Sequence, residues 1–133
     1  MKVLPLGKKL TIAIDVDGTV ADSSNVNFQK AQGEPYEYMR AEPISGALEA
    51  VKKLFEEGHT IVFHTARSGN SKEATKLWLE KHGFPFHYIE CDKLVAHVYI
   101  DDRAISGYNW KRAMKEFKMP NLPGKVARGE GRI

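Results

Sequence analysis

Residues 10–19 read LTIAIDVDGT. Leu10–Val16 is a short apolar run rich in β-branched residues, and it breaks off at acidic residues and Gly18. That pattern predicts a buried strand ending at a turn. Asp15 and Asp17, spaced by one residue, leave the strand at that turn together with Thr19.

Outward from this stretch, strand and helix patterns alternate. Ser45–Glu57 carries Leu48, Val51, Leu54 and Phe55 on one helical face, with Pro43 ahead of it and Gly58 at the C-cap position. His59–His64 predicts a second strand. Asn70 offers an N-cap with Glu73 three residues on, and Ala74, Leu77 and Trp78 form the apolar stripe of a helix ended by His82-Gly83. Phe86–Ile89 and Val95–Ile100 predict a third and a fourth strand, and Tyr108–Lys118 a last helix with Trp110, Ala113, Met114 and Phe117 inward. Strands alternating with helices imply an α/β fold with a central parallel sheet, covered on both faces. In such sheets ligands bind beyond the carboxyl ends of the strands.

Those ends collect the chemistry-bearing residues. The first strand delivers Asp15 and Asp17, the second His64-Thr65-Ala66-Arg67, and the fourth Asp101-Asp102, with Lys93 upstream. Four carboxylates at one sheet edge repel, and a divalent cation is the usual remedy. Oxygen ligands without a histidine or cysteine framework favour Mg²⁺ over zinc. Taken singly, each has a plain structural use: a cap, a strand end, a solvated lysine.

The order DxDGT, Thr, Lys, DD resembles the haloacid dehalogenase-like (HAD) phosphohydrolases over roughly Leu10 to Ile105. A response-regulator receiver also uses Asp, Thr and Lys, but there the acidic pair comes first and the lysine last. The resemblance implies a three-layer Rossmann-like fold and a Mg²⁺-dependent phosphomonoesterase. It makes Asp15 the nucleophile that forms an aspartyl-phosphate and Asp17 the general acid and base. Mg²⁺ would be held by Asp15, the Asp17 carbonyl, Asp101 and Asp102. Thr65, the Ala66 N–H and Lys93 would bind phosphoryl oxygens, with Arg67 a further phosphate or substrate contact. Leu94 and His97 depart from related sequences, which often carry Pro and an acidic residue there.

Members of this family set specificity with cap domains. Here only about residues 20–43 are left for one, which implies a capless domain over 1–119 with a flap and an open site. That flap holds Asn25, Asn27, Phe28, Tyr36 and Tyr38, either packing its own aromatics or stacking on a nucleobase or sugar. The implied substrate is a phosphorylated small molecule or nucleotide. Arg103-Ala104-Ile105 after the acidic pair resembles the phosphatase domain of polynucleotide kinase-phosphatases, which keeps a polynucleotide 3′-phosphatase as an alternative. A non-catalytic phosphate-binding or interaction module is a third reading. A homodimer would close the open site.

Composition bounds the rest. The 133 residues fit one compact domain. Of the net charge of +3, residues up to Asp102 hold 12 basic and 15 acidic side chains, and those from Arg103 hold 8 and 2. The basic tail, residues 120–133, could steer nucleic acid or phosphorylated substrates towards the site. One cysteine, Cys91, excludes an internal disulfide and a multi-cysteine zinc site. The five histidines show no metal-ligand spacing. No apolar run approaches membrane-spanning length and no signal-peptide pattern opens the chain, so a cytoplasmic setting is expected.

Overall fold

The computed structural model describes residues 9–118. Its first compact unit is Lys9–Val95, and a second begins at Ala96. The first unit is built on a three-stranded parallel sheet of β1 (Thr11–Ile14), β4 (Thr60–His64) and β5 (Tyr88–Glu90), in the order β1-β4-β5. Thr11 pairs with Thr60 and Ile14 with Phe63, and across the next ladder Val62 pairs with Tyr88 and His64 with Glu90. All three strands therefore end on the same side, as parallel pairing requires.

Period-2 alternation buries Ile61 and Phe63 of β4 completely and Ile89 of β5 nearly so. The helix α2 (Ala47–Glu56) lays Ala47, Ala50, Val51 and Leu54 inward. It ends where Gly58 takes a left-handed backbone, φ 93°, and its N–H bonds back to the Phe55 carbonyl. The helix α3 (Lys72–Lys81) buries Ala74, Thr75, Trp78 and Leu79. Trp78 stacks on Phe84, and Phe84 meets Phe63 edge-on, so one aromatic train ties α3 to the sheet.

Residues 20–43 form a flap closed at its base by two short antiparallel strands, β2 (Ala21–Asp22) and β3 (Glu42–Pro43). Between them lie a helical turn, α1 (Phe28–Ala31), and a 3₁₀ helix over Pro35–Arg40. Asn27 caps α1 by accepting the Lys30 N–H. Glu37 is buried and accepts the Asn27 N–H at 3.0 Å, with Lys30 and Arg40 at 3.7 and 3.6 Å. The Trp78 indole donates to the Ala41 carbonyl at 2.9 Å, fastening the flap to α3. No large cap is present among the described residues.

Several expectations need correcting. Val95–Ile100 forms no strand, and Val95, Val98, Tyr99 and Ile100 are exposed. Its β-branched pattern sets a preference, but a strand exists only where a neighbour pairs with it. Asn70 does not cap α3: a 3₁₀ turn over Gly69–Ser71 precedes the helix and Ser71 occupies the cap without a side-chain bond. Leu77 faces outward, and Thr75 and Leu79 take the buried positions instead. The last helix, α4 (Trp110–Lys118), starts two residues later than expected and buries Ala113. The basic tail at residues 120–133 lies outside the described residues.

His59 supplies a pH dependence. It is buried, its Nδ1 accepts the Leu10 N–H at 3.1 Å, and burial holds its pKa below the usual imidazole value. A proton on the ring is therefore bound more tightly in the unfolded chain. The stabilisation is complete above the unfolded pKa of about 6.5 and is lost as pH falls from there through the lower folded value. Thermal unfolding between pH 7.5 and 5.5 should show that decline. His59→Asn, which keeps an acceptor that does not titrate, should flatten it; an unchanged slope would refute the assignment.

Candidate active site

The turn after β1 is fixed by one carbonyl. Val16 is fully buried and its oxygen accepts the N–H groups of Thr19, Val20 and Ala21 at 3.1, 2.9 and 3.0 Å. Gly18, at φ 84°, supplies the left-handed residue this reversal needs. With Val16 turned inward, Asp15 and Asp17 on either side remain partly exposed, their side chains at 40% and 25%.

The two carboxylates have different surroundings. Asp15 accepts a bond from the Thr19 hydroxyl at 3.3 Å on Oδ2 and faces the Lys93 ammonium at 3.9 Å on Oδ1. Asp17 is gripped by Arg67: Nε donates to Oδ2 at 2.9 Å and Nη2 to Oδ1 at 2.7 Å, a two-pronged charge-assisted pair. The Ser23 hydroxyl also donates to Oδ1.

Thr65 and Lys93 are brought together because backbone pairing continues past the ends of β4 and β5. Thr65 donates its N–H to the Glu90 carbonyl, Lys93 donates to the Thr65 carbonyl at 3.0 Å, and Asp92 donates to that of Arg67 at 2.8 Å. Asp92 adopts φ 60°, unusual for a residue with a side chain. The Thr65 hydroxyl oxygen accepts the Arg67 N–H at 3.1 Å, leaving its own proton to donate elsewhere. Ala66 is exposed at the same edge.

Arg67 differs from its expected role as a phosphate or substrate contact. Its side chain is 1% exposed, and besides Asp17 it donates from Nη1 to the Thr75 hydroxyl at 3.0 Å. Its Cζ lies 3.7 Å from the centroid of the Tyr38 ring. Desolvation of a guanidinium is costly, and these partners, taking three of its five N–H donors, offset that cost where it faces inward. Tyr38 is likewise buried against Arg67, while Phe28 and Tyr36 are exposed. Sequence reasoning missed Ser23 as a partner of Asp17, and Tyr38 and Thr75 as partners of Arg67. The Asp17–Arg67 pair joins residues 50 apart in the chain, which no local spacing reveals.

Among the described residues no three of the His, Cys, Asp and Glu side chains stand together as a metal cage. The Asp17 side chain is occupied by Arg67, and Asp101 and Asp102 are exposed residues of the second unit. Asp101 Oδ1 accepts the Arg103 N–H at 2.7 Å, a turn contact. Asp15, with an exposed hard oxygen, still fits a magnesium ligand. Burial raises the Cys91 pKa and favours its unreactive thiol, in line with an inert cysteine.

The LNS2 domain of PITM 1–3 matches residues 12–106. A candidate nucleotidase of Halalkalibacterium halodurans is 27% identical over 62% of this chain and 59% of its own. A second, from Bacillus cereus, is 40% identical over 38% of this chain and 26% of its own. This chain thus spans only part of the curated relatives it matches. A structural-genomics target from Vibrio cholerae superposes with a TM-score of 0.60 at 23% identity, covering 81% of this chain and 95% of that one. The class C acid phosphatase of Bacillus anthracis gives 0.56 at 24%, over 65% and 42%. A chain of the Pnkp1/Rnl/Hen1 complex gives 0.55 at 15%, over 91% and 37%. No helix among the described residues is long and apolar enough to cross a membrane. The chain belongs to the LNS2 domain family and has the fold of the HAD-type phosphatases.

Proposed function

We propose that the chain is a Mg²⁺-dependent phosphomonoesterase acting through an aspartyl-phosphate. The observation that carries this reading is the placement of Asp15, its carboxylate 40% exposed at the end of β1 with Lys93 Nζ at 3.9 Å. A phosphate monoester presented there meets a carboxylate nucleophile beside a cation. Thr65 and the Ala66 N–H, at the end of the adjacent strand, are the further donors for phosphoryl oxygens.

An Asp15 oxygen forms a bond to phosphorus while the ester P–O bond breaks. The electron pair of that bond goes to the leaving oxygen, which takes a proton from Asp17; for this step Asp17 enters the cycle protonated while still accepting from Arg67. Asp17, then a carboxylate, accepts a proton from the water that attacks the aspartyl-phosphate. Phosphate leaves and both side chains return to their starting states. Bound Mg²⁺ would offset the repulsion between the Asp15 carboxylate and the phosphate dianion. Asp15, the Asp17 carbonyl, Asp101 and Asp102 are the residues that would hold it, as the motif order implies.

The substrate we favour is a nucleotide or other small phosphate ester, supported by the similarity to candidate nucleotidases. The likeness to a chain of an RNA repair complex favours, as a second reading, a 3′-phosphorylated polynucleotide end.

Asp15→Asn should remain folded and lose at least about a thousandfold in kcat towards an aryl phosphate with Mg²⁺. Asp17→Asn should lose about a hundred- to ten-thousandfold. Cys91→Ser should match the parent. A wild-type rate for Asp15→Asn would end the covalent mechanism. Rates on a mononucleotide, a sugar phosphate and a 3′-phosphorylated oligonucleotide, measured side by side, separate the two substrate readings. We expect the mononucleotide to have the highest kcat/KM, and preference for the oligonucleotide would reverse the order.

A further inference from the structure

Oxygen by oxygen, Asp17 is held asymmetrically. Its Oδ1 accepts from both Arg67 Nη2 and the Ser23 hydroxyl, whereas Oδ2 accepts from Arg67 Nε. Of the two, Oδ2 has more capacity left for a proton in transit, since each carboxylate oxygen offers two lone-pair directions. Two of the groups that set this arrangement belong to the flap. Ser23 follows β2, and the buried Tyr38 ring lies under the Arg67 guanidinium, with Cζ 3.7 Å from its centroid. A ring face beneath a desolvated cation is attractive and orients the guanidinium plane.

Tyr38 is itself fixed. Phe28 packs edge-on against its ring at 5.9 Å. Its neighbour Glu37 is locked to the Asn27 N–H, and Ala41 beyond the 3₁₀ helix accepts the Trp78 indole N–H. The best-packed aromatic of the flap is thus turned away from solvent and onto the partner of Asp17.

We propose that the flap is a positioning element for acid–base catalysis: Ser23 and Tyr38 hold the Arg67–Asp17 pair so that Asp17 Oδ2 delivers the proton to the leaving oxygen. Neither residue touches substrate. This rests on the phosphomonoesterase reading above, and assigns the flap to the proton-transfer step rather than to recognition. A substrate with a poor leaving group, such as an alkyl phosphate, depends on that proton. A nitrophenyl phosphate, whose leaving group departs as a stable anion, depends on it little.

The test compares kcat on the two esters, with Mg²⁺, for the parent chain, Tyr38→Leu, Tyr38→Phe and Ser23→Ala. Exchange of the Arg67 Nε–H with solvent is followed in parallel by NMR. Tyr38→Leu should lose about ten- to a hundredfold in kcat on the alkyl ester, the scale of a misplaced catalytic group, with a much smaller loss on the nitrophenyl ester and unchanged KM. Its Nε–H should exchange faster. Tyr38→Phe, which keeps the ring, should recover the alkyl-ester rate. Ser23→Ala, which opens little space, should shift the ratio in the same direction if Tyr38→Leu does not fold. Equal losses on both esters, or a change in KM alone, would overturn the positioning role while leaving the phosphatase reading intact. A parent chain that turns over neither ester yet protects its Arg67 Nε–H would bring down that reading, and the acid–base role with it.

Discussion

A guanidinium with 1% of its side chain exposed is the constraint around which this site is arranged. Removing one partner of a buried charge pair typically costs about 3–5 kcal/mol, because the other charge is left without compensation. Arg67 is satisfied only if Asp17, Thr75 and Tyr38 are all in place. Those three come from the turn after β1, from α3 and from the flap. The need to satisfy one cation thus fixes the mutual positions of those elements around the end of β4.

The parallel register does the complementary work for Asp15. Because β1 pairs in step with β4 and β4 with β5, the chain leaves all three strands at one edge. Beyond that edge, the bonds from Lys93 to the Thr65 carbonyl and from Asp92 to that of Arg67 extend the ladder by a further step. The Lys93 backbone is anchored to the Thr65 carbonyl, and from there its ammonium stands 3.9 Å from Asp15. Two adjacent carboxylates thereby acquire different partners, a point charge for Asp15 and a fork for Asp17.

Much of this was legible in the chain before folding. The LTIAI run, the glycine after DVD, and Val51 and Leu54 on the face expected for Ser45–Glu57 are local patterns that survived, while Phe55 of that face is exposed. The placement of Asp15, Thr65 and Lys93 at one edge was legible because strand ends of a parallel sheet converge. What failed was non-local. Val95–Ile100 carries every intrinsic feature of a strand, yet those features say nothing about whether an edge is there to receive it. Arg67 reads as an exposed cation in sequence, since burial of arginine depends on partners 8 and 50 residues away. Tyr38 looks like any loop aromatic until the guanidinium above it is placed.

The same contacts bear on how a site without a large cap could choose its chemistry. A mobile cap excludes water and surrounds the substrate. This flap is joined at its base by β2 and β3, locked internally by Glu37, tied to α3 through Trp78 and Ala41, and stacked on Arg67 through Tyr38. A segment fastened at that many points is a wall, and opening it would strip the partners from a buried arginine. What this flap contributes to selectivity comes from its fixed contacts rather than from opening and closing. On the phosphatase reading it acts through the reacting groups themselves, through how well the held Asp17 matches the leaving oxygen it must protonate. The buried arginine then serves two ends with one set of contacts, keeping the flap in place and keeping Asp17 pointed.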